Sequence, residues 1–447
     1  MALITTRRDL LKAGGAVTVA SALGGTRSLF SEDERKIRVG FVGVGNRGSG
    51  LLDIALHMPG IEVPAVCDIQ KPHLDQAIAL VEKAGQKRPE GYGKDENDYR
   101  RLMDRDDLDA VIIATYWEWH TPMAVHAMKT GKYAGVEVPI GITMDDLSQL
   151  VNTQEQTKVP CMMLENWSFR GENLVVLNMI RAGLFGEIIH CHCAHSHDCT
   201  DIWWFDEKGM PRWVGAYLLK RNADQYPTHS LGPVLSWMNI NCGDAFDTLV
   251  SVASRSLSIN DHFRRKFGPD HPMAKQKIMQ SDIVTSIVKT KKGNTIVINN
   301  DMQTPRPYDN RWEIEGTRGL YNEQRWSVFM DGEKPKGNDA HKWEPLQPYE
   351  KQYEHRLYKG LGDPEQRKAR GLFGHGEPDY LELQEFFRSV RHKTPTPIDI
   401  YDSVTMSVVI PLSEESLAKG SMPVQCPDFT KGQWEKRKPY FALDNGA

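Results

Sequence analysis

Beyond its first thirty residues the chain has no apolar run approaching the ~20 residues that a membrane span needs. It lacks a dominant charge as well, since 55 basic residues stand against 59 acidic ones for a net charge of −4. Such a balance gives no electrostatic footprint for nucleic acid or for an anionic membrane surface. Cysteine is scarce and odd in number. Cys67, Cys161, Cys191, Cys193, Cys199, Cys242 and Cys426 leave at least one thiol unpaired, and their spacing is not that of a small disulfide scaffold. No internal repeat is visible. What is present is length and aromatic surface: 447 residues suffice for two domains, each with its own core. Eleven tryptophans and fourteen tyrosines supply flat, partly polar faces of the kind that bind small neutral molecules, sugars among them, although most will serve as core.

The first thirty residues read as a leader. "TTRRDLLKAGGAVTVASALGG" sets Arg7 and Arg8 ahead of a short, weakly apolar run that ends in the small-residue site Ala20-Ser21-Ala22. This pattern predicts a twin-arginine signal over 1–30 and a periplasmic or secreted protein with no membrane attachment after cleavage. Such proteins cross the membrane folded, often with a cofactor already loaded.

"KIRVGFVGVGNRGSG" is an apolar strand running into Gly43, Gly45 and Gly48, followed by the helical periodicity of "GLLDIALHM". The glycines allow a tight turn and a close approach to a pyrophosphate, which the N–H groups and positive end of the helix attract. A second strand, "IEVPAVCD", ends in Asp68, twenty residues past Gly48. A carboxylate there accepts the ribose hydroxyls of NAD and repels the 2′-phosphate of NADP. The pattern continues through "LDAVIIAT" and "HTPMAVHAMKTGKYAGVEVP". Alternating strands and helices over 36–160 predict a doubly wound parallel sheet, with ligand at the strand ends after Gly43, Asp68, Thr115 and Glu137.

"TYWEWHTPMAVHAMKTGKYAGVEVP" resembles the glucose–fructose oxidoreductase and inositol dehydrogenase family, in which a Rossmann domain precedes an α/β domain with a large open sheet. Dehydrogenases of that family carry Glu-Lys-Pro where this chain has Glu137-Val138-Pro139, and a valine cannot shuttle a proton. "WEWH" (117–120), "LEN" (164–166), "YPTHSLGPV" (226–234), "NINCGDAFDTLVS" (239–251) and "TPRPYDNRWEIEGTRG" (304–319) together are similar to glycoside hydrolase family 109, the NAD-dependent α-N-acetylgalactosaminidases. The resemblance implies a glycosidase that recycles tightly bound NAD: oxidation at the sugar C3, deprotonation at C2, elimination of the anomeric group, water addition and re-reduction. It places the cofactor contacts on Asn46, Arg47, Asp68, Trp117, Glu118, Trp119, His120, Glu137, Val138 and Asn166, beside the glycine loop.

This chemistry needs a base poised near operating pH and donors for an enolate, in place of the paired carboxylates of ordinary glycosidases. His229 is the expected acid/base residue and Tyr226 the expected oxyanion or substrate contact, since the two are three apart at the start of a helix. The resemblance adds Pro227, Thr228 and Tyr308 as substrate contacts. Family members also have an arginine directly after a tryptophan, where this chain has Trp213-Val214 with Arg212 in front. Their tyrosine on the preceding strand aligns with His195. Both departures lie on the substrate side, so NAD use is expected to persist while sugar preference shifts. The alternatives are an NAD-dependent sugar dehydrogenase with a histidine in place of the lysine, and a periplasmic binding protein on the same fold.

Residues 161–370 read as a mostly antiparallel sheet with a polar, turn-rich surface segment near 333–371. Residues 371–447 read as helices that return to the first domain, and self-association is left open. Within the sheet lies "IIHCHCAHSHDCTD" (188–201), which suggests a metal site. As a strand it places Cys191, Cys193, His195 and His197 on one face but spreads them over about 20 Å, too far for one ion. Cysteines two apart on a strand also point in parallel and make poor disulfide partners. No metal is expected, and His195 becomes a second candidate for proton transfer.

Overall fold

The computed structural model describes residues 35–332, 341–362 and 376–443. The expected leader lies outside them. Six parallel strands form the first sheet in the order β3-β2-β1-β4-β5-β6. They are β1 (Ile37–Val42), β2 (Ile61–Cys67), β3 (Glu90–Tyr92), β4 (Ala110–Ile113), β5 (Tyr133–Glu137) and β6 (Cys161–Leu164). Helices α1 (Asn46–Leu56), α2 (Lys71–Lys83), α3 (Tyr99–Met103), α4 (Trp117–Lys129) and α5 (Met144–Thr157) connect them. β4 is buried at every position, as a strand covered on both faces must be. The strand order reverses between β1 and β4, so their following loops part and leave a crevice.

The domain boundary expected at residue 160 falls one strand early. Cys161–Leu164 pairs in parallel with β5 and completes the first sheet. Its run of four buried apolar residues cannot be told from a strand of the second domain by pattern alone.

After α6 (Gly171–Arg181) comes β7 (Ile188–Ser196), then α7 (Ala216–Lys220) and α8 (Thr228–Trp237). The second sheet has nine strands in the order β14-β13-β12-β11-β7-β10-β9-β8-β15. The added strands are β8 (Phe246–Ala253), β9 (Val284–Thr290), β10 (Thr295–Asp301), β11 (Glu313–Gly316), β12 (Gly319–Asn322), β13 (Ser327–Met330), β14 (Glu344–Pro345) and β15 (Val424–Gln425). Only β7 and β10 pair in parallel. Register aligns Leu249, Val288, Ile296, Cys191, Ile314, Tyr321 and Val328 into one row across the sheet. Every member of that row is buried.

Two expectations about the second half need correction. The turn-rich segment is not all surface: Leu357, Tyr358 and Leu361 are buried, and Tyr358 Oη donates to Phe169 O at 3.0 Å. Residues 333–340 and 363–371 of that segment lie outside the described residues. The C-terminal region also does not return to the first domain alone. The helix Gly376–His392 packs on α1 and the helix Ile400–Ser407 on α5 and β6, but the helix Val409–Ala418 covers β8 and β15 extends the second sheet. The helical pattern is the same for all three; the partner sheet is a tertiary choice. No helix among the described residues is long and apolar enough to cross a membrane.

Candidate active site

The cofactor crevice starts at the turn after β1. Gly43 has φ +79°, which favours glycine, and a Cβ on Gly48 would lie 1.8 Å from Gly43 O. The turn and helix α1 can therefore approach only with glycine at both positions. Asp68 ends β2, and its carboxylate accepts from Val44 N at 2.9 Å and Gln70 N at 2.8 Å. It is thus fixed against the glycine loop, with lone pairs left for a ribose. Glycine turn, helix N-terminus and terminal acid fit a dinucleotide.

Arg47 faces a cluster of carboxylates. Its Nε donates to Glu137 at 2.6 Å, and Nη1 and Nη2 donate to Asp379 at 2.5 and 3.0 Å. Asn166 Nδ2 donates to the same Asp379 at 2.7 Å. Burial opposes the charge of Arg47, but Glu137 and Asp379 outweigh it and hold the guanidinium well above its ordinary value. Glu382, one turn beyond Asp379, is wholly buried; burial and then Asp379 push its carboxyl well above the usual carboxylate range. Asp379 escaped sequence reading. It sits in a helix more than two hundred residues from either partner, and nothing local marks it.

Some expected cofactor side chains point elsewhere. The ring nitrogens of His120 lie 2.7 Å from Pro139 O and 3.1 Å from Thr115 O, so the residue ties two loops together. Burial lowers its pKa. Trp119 packs edge-on against Tyr99, with centroids 6.2 Å apart. Glu118 accepts from Tyr217 Oη at 2.6 Å. Val138 is buried. Trp117 does join the cleft, its ring stacked 6.0 Å from that of Tyr226.

The structure brings His229, Tyr226 and His195 together. His229, in the first turn of α8, has Nε2 3.4 Å from Tyr226 Oη and Nδ1 2.7 Å from Glu165 Oε1. His195, at the end of β7, lies with its ring 5.1 Å from Tyr226, 5.3 Å from His229 and 5.6 Å from Tyr308. Burial and then Glu137 raise the Tyr226 phenol well above its usual range, so it remains a donor. Pro227 and Thr228 are buried. Arg212 is exposed and donates to Phe205 O at 3.1 Å, taking no part in the ring contacts of this cluster. Trp203, which sequence reading passed over, stands 5.0 Å from Tyr226, and Trp213 stacks on Tyr116 at 4.6 Å.

The histidine–cysteine run is resolved by its faces. Cys191 and Cys193 are buried among apolar residues, where burial raises both thiols. His190 and His192 turn to the other face and meet Thr295 Oγ1 at 2.8 Å and Asn299 Oδ1 at 2.6 Å. Among the described residues no three His, Cys, Asp or Glu side chains converge as a metal site requires.

A parallel sheet with a glycine turn, followed by a mixed sheet that carries the histidine–tyrosine cluster, defines the class of proteins with the NAD-binding oxidoreductase fold. Residues 37–165 match the oxidoreductase family with an NAD-binding Rossmann fold. Residues 169–436 match the C-terminal domain of glycosyl hydrolase 109. An α-N-acetylgalactosaminidase from Shewanella oneidensis is 38% identical, covering 97% of this chain and 98% of its own. A glycosyl hydrolase family 109 protein from Shewanella pealeana is 40% identical over 90% of this chain and 87% of its own. The fold is shared with a levoglucosan dehydrogenase solved with NADH, with a TM-score of 0.65 and 18% identity over 88% of this chain and 100% of that one. An NAD-binding oxidoreductase from Klebsiella pneumoniae gives 0.65 and 16% over the same shares. The chain belongs to glycosyl hydrolase family 109, and with it to the glycosidases.

Proposed function

We propose that the protein hydrolyses a glycoside while retaining NAD, with His229 as the acid/base residue, Tyr226 as an oxyanion donor and His195 as a second proton-transfer group. The observation that carries this reading is the convergence of His229, Tyr226, His195 and Tyr308, with Trp117 stacked on Tyr226 and with Glu137, a partner of Arg47 in the glycine loop, acting on the Tyr226 phenol. Gly43, Gly45, Gly48, Asn46, Asp68, Glu137 and Asn166 would hold the dinucleotide. When bound, NAD supplies reversible hydride acceptance from a sugar carbinol, which acidifies the adjacent C–H.

His229 then removes the C2 proton through Nε2, and the Tyr226 hydroxyl donates to the developing oxyanion. His195 protonates the departing anomeric oxygen. Tyr308, 42% exposed, offers a ring and hydroxyl at the mouth. The conventional two-carboxylate route is disfavoured because Glu165, the acid beside His229, is fully buried and occupied by hydrogen bonds. Val138, buried and apolar, cannot serve as the dehydrogenase proton shuttle.

We further propose that sugar preference has moved away from N-acetylgalactosamine, because His195 and Val214 replace the family's tyrosine and arginine, and that Arg7-Arg8 direct export to the periplasm or beyond. The test is a panel of aryl α- and β-glycosides on purified protein with no added NAD. Release of the aryl group with no net NADH is expected, together with a nicotinamide band in the protein spectrum. NADH rising in step with substrate loss would replace this reading with a sugar dehydrogenase. Turnover of an α-N-acetylgalactosaminide equal to or better than other hexosides would remove the shift in preference.

A further inference from the structure

His229 has a buried partner that the steps above do not use. Glu165 follows β6 with none of its surface exposed. A carboxylate so buried is costly unless its lone pairs are engaged. Its Oε1 accepts from Trp167 N at 3.2 Å, and its Oε2 accepts from Ser168 N at 2.8 Å and Ser168 Oγ at 2.6 Å. The short turn 166–169 thus locks one side of the carboxylate, and Oε1 is presented to His229 Nδ1 at 2.7 Å. Helix α8 is cut away to admit it. Gly232 lies three residues after His229, and a Cβ there would stand 1.8 Å from Glu165 Oε2 and 2.8 Å from Ser168 Oγ.

From this geometry we infer that Glu165 is a positioning residue for His229, seated by Ser168 and by the missing side chain of Gly232. It accepts the Nδ1–H, which fixes the tautomer whose Nε2 lone pair faces Tyr226 and the cleft. When Nε2 takes the C2 proton, the ring becomes an imidazolium beside an anion that is already in place. The proton leaves again from Nε2, and Glu165 only orients the ring. The other titratable groups facing the ring are Tyr226 ahead of α8 and His195 on β7, with Tyr308 behind His195. The inference rests on His229 being the acid/base residue.

The experiment uses the aryl glycoside turned over fastest by the full-length protein, with a melting curve for each variant. His229→Ala comes first: unchanged turnover would remove the acid/base assignment itself, and this inference with it. Once His229 is shown to be needed, Glu165→Gln is expected to lower kcat on the order of a hundredfold or more. It should also move the acid limb of kcat/KM to lower pH, because the anion that favours the imidazolium has gone. Glu165→Asp, which keeps the charge, should retain more activity than Glu165→Gln. Gly232→Ala should impair turnover in the wild-type background but add less to Glu165→Ala, where the 1.8 Å contact is gone and only Ser168 Oγ, released from its hydrogen bond to Glu165, stays close. Loss of activity in Glu165→Gln with an unmoved acid limb would overturn the inference while leaving His229 in its role. So would a Gly232→Ala penalty of the same size in both backgrounds. If Glu165→Gln does not fold, the Gly232 pair decides.

Discussion

The cofactor half of the cleft and the substrate half are built from different kinds of instruction. The first is largely a backbone object: a glycine turn, a helix N-terminus and Asp68 within one short stretch. The second is a side-chain object, in which His195 on β7, Glu165 after β6, Tyr226 and His229 at α8, and Tyr308 after β10 arrive from distant segments. A backbone site tolerates little change at its glycines and much elsewhere, whereas a side-chain site can be retuned one residue at a time. His195, one of the two departures from the family pattern, accordingly falls in the second half.

The harshest way to break that contrast is Gly48→Val. Any side chain there meets Gly43 O, and the expected result is loss of the nicotinamide band and of turnover together, with at least about 3 kcal/mol of stability. Retention of bound NAD in a folded Gly48→Val protein would show that the crevice is not a backbone object. Next is Asp379→Asn, which tests the one place where the cofactor half depends on a remote side chain. It leaves Arg47 with Glu137 alone and weakens the hold on Asn166. Arg47 keeps 37% side-chain exposure, so the expected cost is about 2 kcal/mol, below that of a fully buried pair. The measurement is NAD retention on dilution together with the denaturation midpoint.

Legibility follows the same division. β1, α1 and β2 could be read because a short motif fixes their geometry, and Asp68 stands where its spacing said it would. The alternation of β7 was also readable, since period-2 burial needs no tertiary knowledge. Asp379 and Trp203 could not be found, because each matters only through residues that the chain brings up from elsewhere. Glu165 lay inside a quoted motif, yet its role depends on Gly232, which is 67 positions away and informative only once α8 is docked. Trp119 and His120 show what adjacency in sequence leaves undetermined, since their side chains have separate partners. A run of adjacent residues on a helix points in several directions, so "WEWH" cannot all face one ligand.

A pH test sharpens the substrate half. Asp224, two residues before Tyr226, is buried, and that burial raises its carboxyl to about 7. A folded-state value above the unfolded one means that its contribution is complete below pH 3.8 and is lost as the pH climbs towards 7. Asp224→Asn removes this slope. Relative to the wild type it should gain stability between pH 4 and 7, by about 4 kcal/mol at most. Chemical denaturation at the two pH values reads it, and parallel curves for the two proteins would place the carboxyl in a more polar setting.

The smallest effect bears on the residues that most invited a metal. In the row Leu249, Val288, Ile296, Cys191, Ile314, Tyr321 and Val328, Cys191 is fully buried between Ile296 and Ile314. A thiol pushed upward by burial is a poor ligand, because a ligand must be the thiolate. Cys191→Ala therefore removes one sulfur's worth of packing and nothing else, an expected loss of about 1 kcal/mol with turnover unchanged. Cys191→Ser places a hydroxyl in the same apolar row and should cost more, about 2 kcal/mol. A ligand would reverse the comparison, since either change would then abolish binding and make activity depend on added zinc. Equal turnover of both variants with and without a chelator, at the graded stability cost, is the outcome that a core position dictates.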